Sequence, residues 1–280
     1  MLRFRGIAPR RLAALVCLPL LGACAGSVPN VAGNVPVVNV PGARPSPQPL
    51  VARLFLPEGA GPFAVVILLH GCGGITNNQT QWVQRLNGWG YGAVVLDSLG
   101  PRGVKSVCPA YLQPMVTRQD RAGDVVAAVR WLQTVPRVDG ARLAVLGNSH
   151  GGATAATVAN RHFEAEGGGL VKAAVDYYGP CREPADHGSI PLLALAGDDD
   201  TWGYPARTCT EFARAVGSAE NVTVRTYPGV VHAFDNPLLV HRVWQEGHPM
   251  QYDHDAAEAS FREVHTFLDR TIGPERVTRR

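Results

Sequence analysis

Several short runs in this chain are apolar from end to end: residues 63–69 (Phe-Ala-Val-Val-Ile-Leu-Leu), 92–96, 143–146 and 191–196. A strand apolar at every position has no side to turn to water, so it belongs inside a sheet covered on both faces. Residues 51–56, 171–177 and 222–227 read as further strands. The stretches between them have helical spacing. In 117–132, Ala122, Val125, Val126, Val129 and Leu132 recur at intervals of three and four, and Thr117 with Asp120 makes an N-terminal cap. Residues 79–89, 153–159, 206–216 and 256–268 are the other expected helices. Alternating strands and helices imply an α/β fold: a mostly parallel sheet with right-handed crossovers and helices on both faces. Chemistry in such sheets sits beyond the carboxyl ends of the strands. The 280 residues, 46% apolar and 18% charged, are enough for one large core, expected over 51–272.

The first 50 residues are different. Arg3, Arg5, Arg10 and Arg11 precede an apolar run of about ten residues, too short for a permanent membrane span and typical of a signal peptide. The run ends in Leu21-Gly22-Ala23-Cys24, which resembles the bacterial lipobox. That resemblance implies removal of 1–23, lipidation of Cys24 and, because Ala25 is not aspartate, an outer-membrane anchor facing the periplasm. Pro29, Pro36, Pro41, Pro45, Pro47 and Pro49 crowd 24–50, so this stretch is expected to be a tether without regular structure, reaching roughly 30 Å as a coil. Without the four leader arginines, the chain has 22 basic and 23 acidic residues, and no basic stripe for nucleic acid. Export also gives meaning to Cys72, Cys108, Cys181 and Cys209, an even set that allows two disulfides in three possible pairings.

The apolar run at 143–146 leads into Gly147-Asn148-Ser149-His150-Gly151, the Gly-x-Ser-x-Gly form of a strand-to-helix nucleophile elbow. Glycines two before and two after the serine are needed because the turn brings those positions together. A serine nucleophile needs a base and an acid to hold the base, here expected after later strands. The strand 191–196 ends at Gly197 before Asp198, Asp199 and Asp200, and 222–227 is followed by Pro228-Gly229-Val230-Val231-His232. The acid triplet could also be a solvated loop, and His232 is one of nine histidines. His241, His248 and His254 lack tight metal-ligand spacing, so neither metal nor cofactor is expected.

These stretches, with Leu68-Leu69-His70-Gly71-Cys72-Gly73-Gly74, Asp97-Ser98-Leu99-Gly100-Pro101-Arg102-Gly103, Tyr177-Tyr178-Gly179 and Tyr227-Pro228-Gly229-x-x-His232-Ala233-Phe234, resemble the dienelactone hydrolase family of α/β-hydrolases. The resemblance covers about 51–270. Its Gly-x-x-Asp pattern selects Asp200 over Asp198 and Asp199, and it selects His232 as the base. It places the oxyanion donors on the backbone N–H groups of Cys72 and His150. Two departures stand out. The name-giving enzymes use a cysteine nucleophile where this chain has Ser149, and they carry an acidic residue where it has Gly71. Both fit a serine esterase better than a hydrolase of dienelactone itself.

Placed on this fold, all four cysteines follow strand ends on the active-site side. Cys181 and Cys209 follow successive strands and are the favoured pair, leaving Cys72 with Cys108. Arg102, Tyr178, Trp202 and Tyr204 are the candidate substrate-pocket residues by position. The expected activity is hydrolysis of a small-molecule ester or lactone through Ser149, His232 and Asp200. The competing readings are a peptidase or polyester depolymerase on the same fold, and a non-catalytic binding lipoprotein of the cell envelope.

Overall fold

A computed structural model describes residues 31–167, 169–217 and 221–273. The leader, Cys24 and the first part of the tether lie outside the described residues. The strands are β1 (Val31–Val35), β2 (Leu50–Phe55), β3 (Phe63–Leu69), β4 (Gly92–Asp97), β5 (Val138–Asn148), β6 (Val171–Tyr177), β7 (Leu192–Gly197) and β8 (Val222–Tyr227). They form one sheet in the order β1-β2-β4-β3-β5-β6-β7-β8. Only β1 and β2 run antiparallel to their neighbours, and β4, β3, β5, β6, β7 and β8 are parallel. A small hairpin of β9 (Val243–Gln245) and β10 (His248–Met250) stands apart.

The helices are α1 (Asn77–Gly88), α2 (Arg118–Leu132), α3 (His150–Val158), α4 (Arg161–Glu166), α5 (Pro205–Val216) and α6 (His254–Thr271). The alternation along β3 shows why each apolar strand needs two covers. Val65, Ile67 and Leu69 pack in the layer with α2, α3 and α5, whereas Ala64, Val66 and Leu68 face the layer with α1 and α6. The Thr117 cap forms as the sequence suggests: its hydroxyl accepts from the Asp120 N–H, and the Asp120 carboxylate accepts from the Thr117 N–H at 2.9 Å. Helix α3 begins at His150, three residues earlier than expected, because the elbow turns directly into it.

The tether expectation fails for residues 31–50. β1 extends the sheet with Val31 opposite Leu54 and Val35 opposite Leu50. None of the six prolines lies within β1, so its ladder is intact. Gly33 makes the approach possible, since a Cβ there would lie 2.7 Å from the Trp131 ring. Farther along, Val40 and Ser46 are buried, and Arg44 forms an ion pair with Asp120 of α2 at 2.6 Å. A proline-rich composition limited helix and ladder formation here, yet it did not prevent packing.

The chain reverses its direction of travel across the sheet at β3, which has β4 on one side and β5 on the other. Leu69 at the end of β3 lies opposite Gly147 at the end of β5. The loops leaving these two strands therefore open the crevice where a ligand is expected.

Candidate active site

Ser149 sits at φ 57° and ψ −117°, a strained backbone between β5 and α3. Its N–H donates to the Tyr177 carbonyl at 2.8 Å, which fastens the elbow to β6. The two flanking glycines have no room for a side chain. A Cβ on Gly147 would lie 2.0 Å from the Gly151 carbonyl oxygen, and one on Gly151 would lie 2.1 Å from that of Leu69. The elbow thus exists because these positions lack a Cβ.

His232 Nε2 lies 3.0 Å from Ser149 Oγ, and His232 Nδ1 lies 2.7 Å from Asp200 Oδ2. Each residue comes from a different strand end: β5 for Ser149, β7 for Asp200 and the long segment after β8 for His232. His232 and Asp200 are 3% and 2% exposed, which shields their hydrogen bond from competing water. The second Asp200 oxygen accepts from the Trp202 N–H at 2.8 Å. The Asp200–Nδ1 contact leaves Nε2 to face the serine hydroxyl. Asp198 and Asp199 are exposed and take no part in this chain.

His150 opens α3, so its backbone N–H has no intrahelical acceptor. Neither it nor the Cys72 N–H donates to another described residue. Cys72 and Ser149 line both cavities that meet here. The larger, about 420 Å³, is walled by Gln113, Thr117, Arg118, His150, Pro180, Arg182 and Trp202 among others. The smaller, about 140 Å³, is walled by residues that include Tyr178, Trp202, His232, Asn236 and Met250.

Of the four pocket candidates, Trp202 lines both cavities and Tyr178 the smaller one. Trp202 leans on the His232 ring at a centroid distance of 5.0 Å, and Tyr178 meets that ring edge-on at 4.6 Å. Arg102 and Tyr204 line neither of these cavities. Arg102 keeps its side chain 8% exposed and grips Asp124 of α2 through two hydrogen bonds of 2.8 and 2.9 Å, so its guanidinium is already taken. Tyr204 is 51% exposed, precedes α5 and carries the Arg207 guanidinium over its ring. Burial pushes the Asp124 carboxyl up, and Arg102 opposes that shift. Arg102→Met is accordingly expected to cost about 3–5 kcal/mol of stability by stranding Asp124. Urea denaturation tests this, and a loss below about 1 kcal/mol would show that the pair is dispensable.

Sequence reading missed Asp235, which organises the floor of the smaller cavity. This carboxylate, 2% exposed, accepts from Tyr178 Oη at 2.5 Å, Trp82 Nε1 at 2.9 Å and Asn148 Nδ2 at 3.1 Å, with Asn78 at 3.4 Å. Its only sequence signal was an acid following the apolar Ala233-Phe234 pair. The larger-cavity residues Arg118 and Arg182 were missed as well, since one opens α2 and the other follows β6, and only folding brings them together.

Both expected disulfides form. Cys72–Cys108 has a Cα separation of 4.8 Å, and Cys181–Cys209 one of 4.7 Å. The second ties the segment after β6 to α5 and so braces the Asp200 loop between them. Of the histidines once considered for metal, His248 stacks on Trp202 and meets Thr201 Oγ1 at 3.0 Å, while His254 pairs with exposed Asp255. Among the described residues, the one cluster with three metal-capable groups is Asp176, Cys181 and Cys209, whose two sulfurs are bonded to each other.

A doubly covered, mostly parallel sheet with a serine elbow at its switch point defines an α/β-hydrolase. The dienelactone hydrolase family profile matches residues 50–272, so the chain belongs to that family and is a hydrolase acting on ester bonds. No curated protein sequence matches the chain. Among solved structures, a protein assigned as a dienelactone hydrolase from Klebsiella pneumoniae is similar at 20% identity, with a TM-score of 0.65, covering 85% of this chain and 98% of that one. A dienelactone hydrolase-like promiscuous phosphotriesterase from metagenomic libraries is similar at 21% identity, with a TM-score of 0.64 and coverage of 87% and 99%. Esterase 2 of Thermogutta terrifontis, phosphorylated by paraoxon, has 16% identity, a TM-score of 0.62 and coverage of 90% and 97%. These likenesses are of fold.

Proposed function

We propose that the protein is a serine carboxylic ester hydrolase in which Ser149 is the nucleophile, His232 the general base and acid, and Asp200 the residue that orients the imidazole. The observation that carries this reading is the unbroken hydrogen-bond chain from Ser149 Oγ through both His232 nitrogens to Asp200. Ser149 Oγ attacks the ester carbonyl carbon as its proton passes to His232 Nε2. The carbonyl oxygen becomes an oxyanion, held by the N–H groups of Cys72 and His150. Collapse expels the alkoxide, which takes the proton from His232 and leaves as alcohol. Water then attacks the acyl-enzyme, with His232 again as base, and releases the acid and Ser149. Small-molecule esters and lactones are the substrate class, and the reaction needs no cofactor.

Reaction with a fluorophosphonate probe, followed by peptide mapping, tests this reading. The expected adduct is on Ser149. Absence of label on Ser149 in folded protein would favour the non-catalytic binding lipoprotein. The phosphorylation of the Thermogutta esterase by paraoxon makes such a probe a natural choice. A panel of p-nitrophenyl esters, lactones and aminoacyl amides separates an esterase from a peptidase, and polyester films test depolymerase activity.

We also propose that Cys24 is lipidated and holds the protein to the bacterial outer membrane, facing the periplasm. The support is the Leu21–Cys24 tetrapeptide and the apolar leader before it. Because β1 begins at Val31, Cys24 can lie at most about 25 Å along the chain from the sheet. The sheet would then lie close to the membrane rather than at the end of a long tether. Incorporation of labelled palmitate, abolished in Cys24→Ser, is the expected result. Equal labelling of that variant would sink the assignment.

A further inference from the structure

Next to the nucleophile lies a buried cation that the mechanism above does not use. Arg121, on α2, is fully buried. Its Nη2 donates to the His70 carbonyl at 2.7 Å, and its Nη1 lies 2.7 Å from His150 Nδ1. Among the described residues, Arg121 Nε has no hydrogen-bond partner. Among the described residues, no carboxylate hydrogen-bonds this guanidinium; both Asp124 oxygens accept from Arg102 instead. A guanidinium can only donate, so His150 Nδ1 must accept. The His150 ring is therefore neutral and carries its proton on Nε2.

Burial, then the charges of Arg121 and Arg118, push the His150 imidazolium down to about 3, which keeps the ring neutral across physiological pH. Burial lowers Arg121 to about 10, so it remains charged there. The His150 ring is half-buried and lines the larger cavity, and its Nε2 donates to no described residue.

Ser149 lines both cavities, so an ester reacting at its Oγ has one cavity open to each side of its carbonyl carbon. The leaving alkoxide must be reached by His232, which lines the smaller cavity and not the larger. The acyl chain, on the other side of the carbonyl carbon, then enters the larger one beside His150. We propose that Arg121 fixes His150 as an Nε2–H donor, and that this pair positions acyl groups bearing an oxygen acceptor near the ester carbonyl, such as an ether, hydroxyl or keto oxygen. This rests on the esterase reading. His150 contributes its side chain to substrate recognition as well as its main-chain N–H to the oxyanion, and Arg121 is a positioning residue acting through it.

The test compares kcat/KM for two isosteric pairs of p-nitrophenyl esters, methoxyacetate against butyrate and 3-methoxypropionate against valerate. Each pair exchanges one methylene for oxygen, at successive chain positions. Dividing the variant's oxygen-to-methylene ratio by that of the wild type cancels the intrinsic reactivity of the esters. His150→Phe keeps the backbone donor and is expected to lower the ratio for at least one pair roughly 3- to 10-fold, the worth of one hydrogen bond. His150→Gln, which restores a side-chain N–H, should recover part of the discrimination. Arg121→Met should lower the same ratio, with thermal melting used to confirm a folded protein. A purely structural role for the pair would depress both esters of each pair equally. Unchanged ratios in folded His150→Phe, or in folded Arg121→Met, would overturn the proposal while leaving the esterase standing. A wild type that turns over none of the four esters and takes no fluorophosphonate label on Ser149 would overturn both.

Discussion

Ser149→Ala and His232→Ala are each expected to lower kcat on a p-nitrophenyl ester by about four to six orders of magnitude, with the fold intact. The size follows from the geometry: the serine has one base within reach, at 3.0 Å, and removal of either partner ends proton transfer. Asp200→Asn should cost about 10⁴, because an amide donating to Nδ1 would favour the wrong imidazole tautomer. Asp198→Asn and Asp199→Asn should stay within about threefold of wild type, since both are exposed. Steady-state kinetics with circular dichroism checks all five variants. Activity of Ser149→Ala within tenfold of wild type would remove the serine from the mechanism.

The second large effect falls on stability and reaches the site indirectly. Asp235→Ala should destabilise the protein by about 3–5 kcal/mol, since it strands the donors of Tyr178, Trp82 and Asn148 in the interior. Burial raises the Asp235 carboxyl, and hydrogen bonds from Tyr178, Trp82 and Asn78 oppose that rise. Those donors are what make a buried carboxyl tolerable. Because Tyr178 packs on the His232 ring and Asn148 precedes Ser149, kcat/KM should also fall by about 10- to 100-fold at a temperature where the variant remains folded. Guanidinium denaturation and kinetics on the same preparation read both effects. A stability loss under about 1 kcal/mol would show that water replaces the carboxylate at no great cost.

The disulfides illustrate a partial inference from sequence. Four cysteines after strand ends suggested a pairing only once the alternation of elements had placed them on one side of the sheet. The Arg102 reading failed for a different reason. Its position in a loop after β4 was right, but a long side chain can turn toward α2 as readily as toward a ligand, and Asp124 decided the direction. Residues 31–50 failed because proline content reports only what the local backbone disfavours. Whether such a segment packs depends on an exposed sheet edge, here that of β2, and local composition carries no information about it.

By itself the sequence determined most of the elements and which residues follow the strand ends. The apolar run 63–69 fits a doubly buried strand by its length and β-branched content, and Gly147 and Gly151 fit a turn that leaves no room for a Cβ. Ser149, Asp200 and His232 were legible as a set because each follows a different strand, and the sheet brings those strand ends to one edge. Tertiary structure alone decided what faces those residues. The Asp235 hub joins residues 87 and 153 positions distant, and the Arg121–His150 contact joins two helices separated by a strand. Hydrogen bonds between remote side chains leave no periodic trace along the chain, because their partners are chosen by packing in space and not by spacing in sequence.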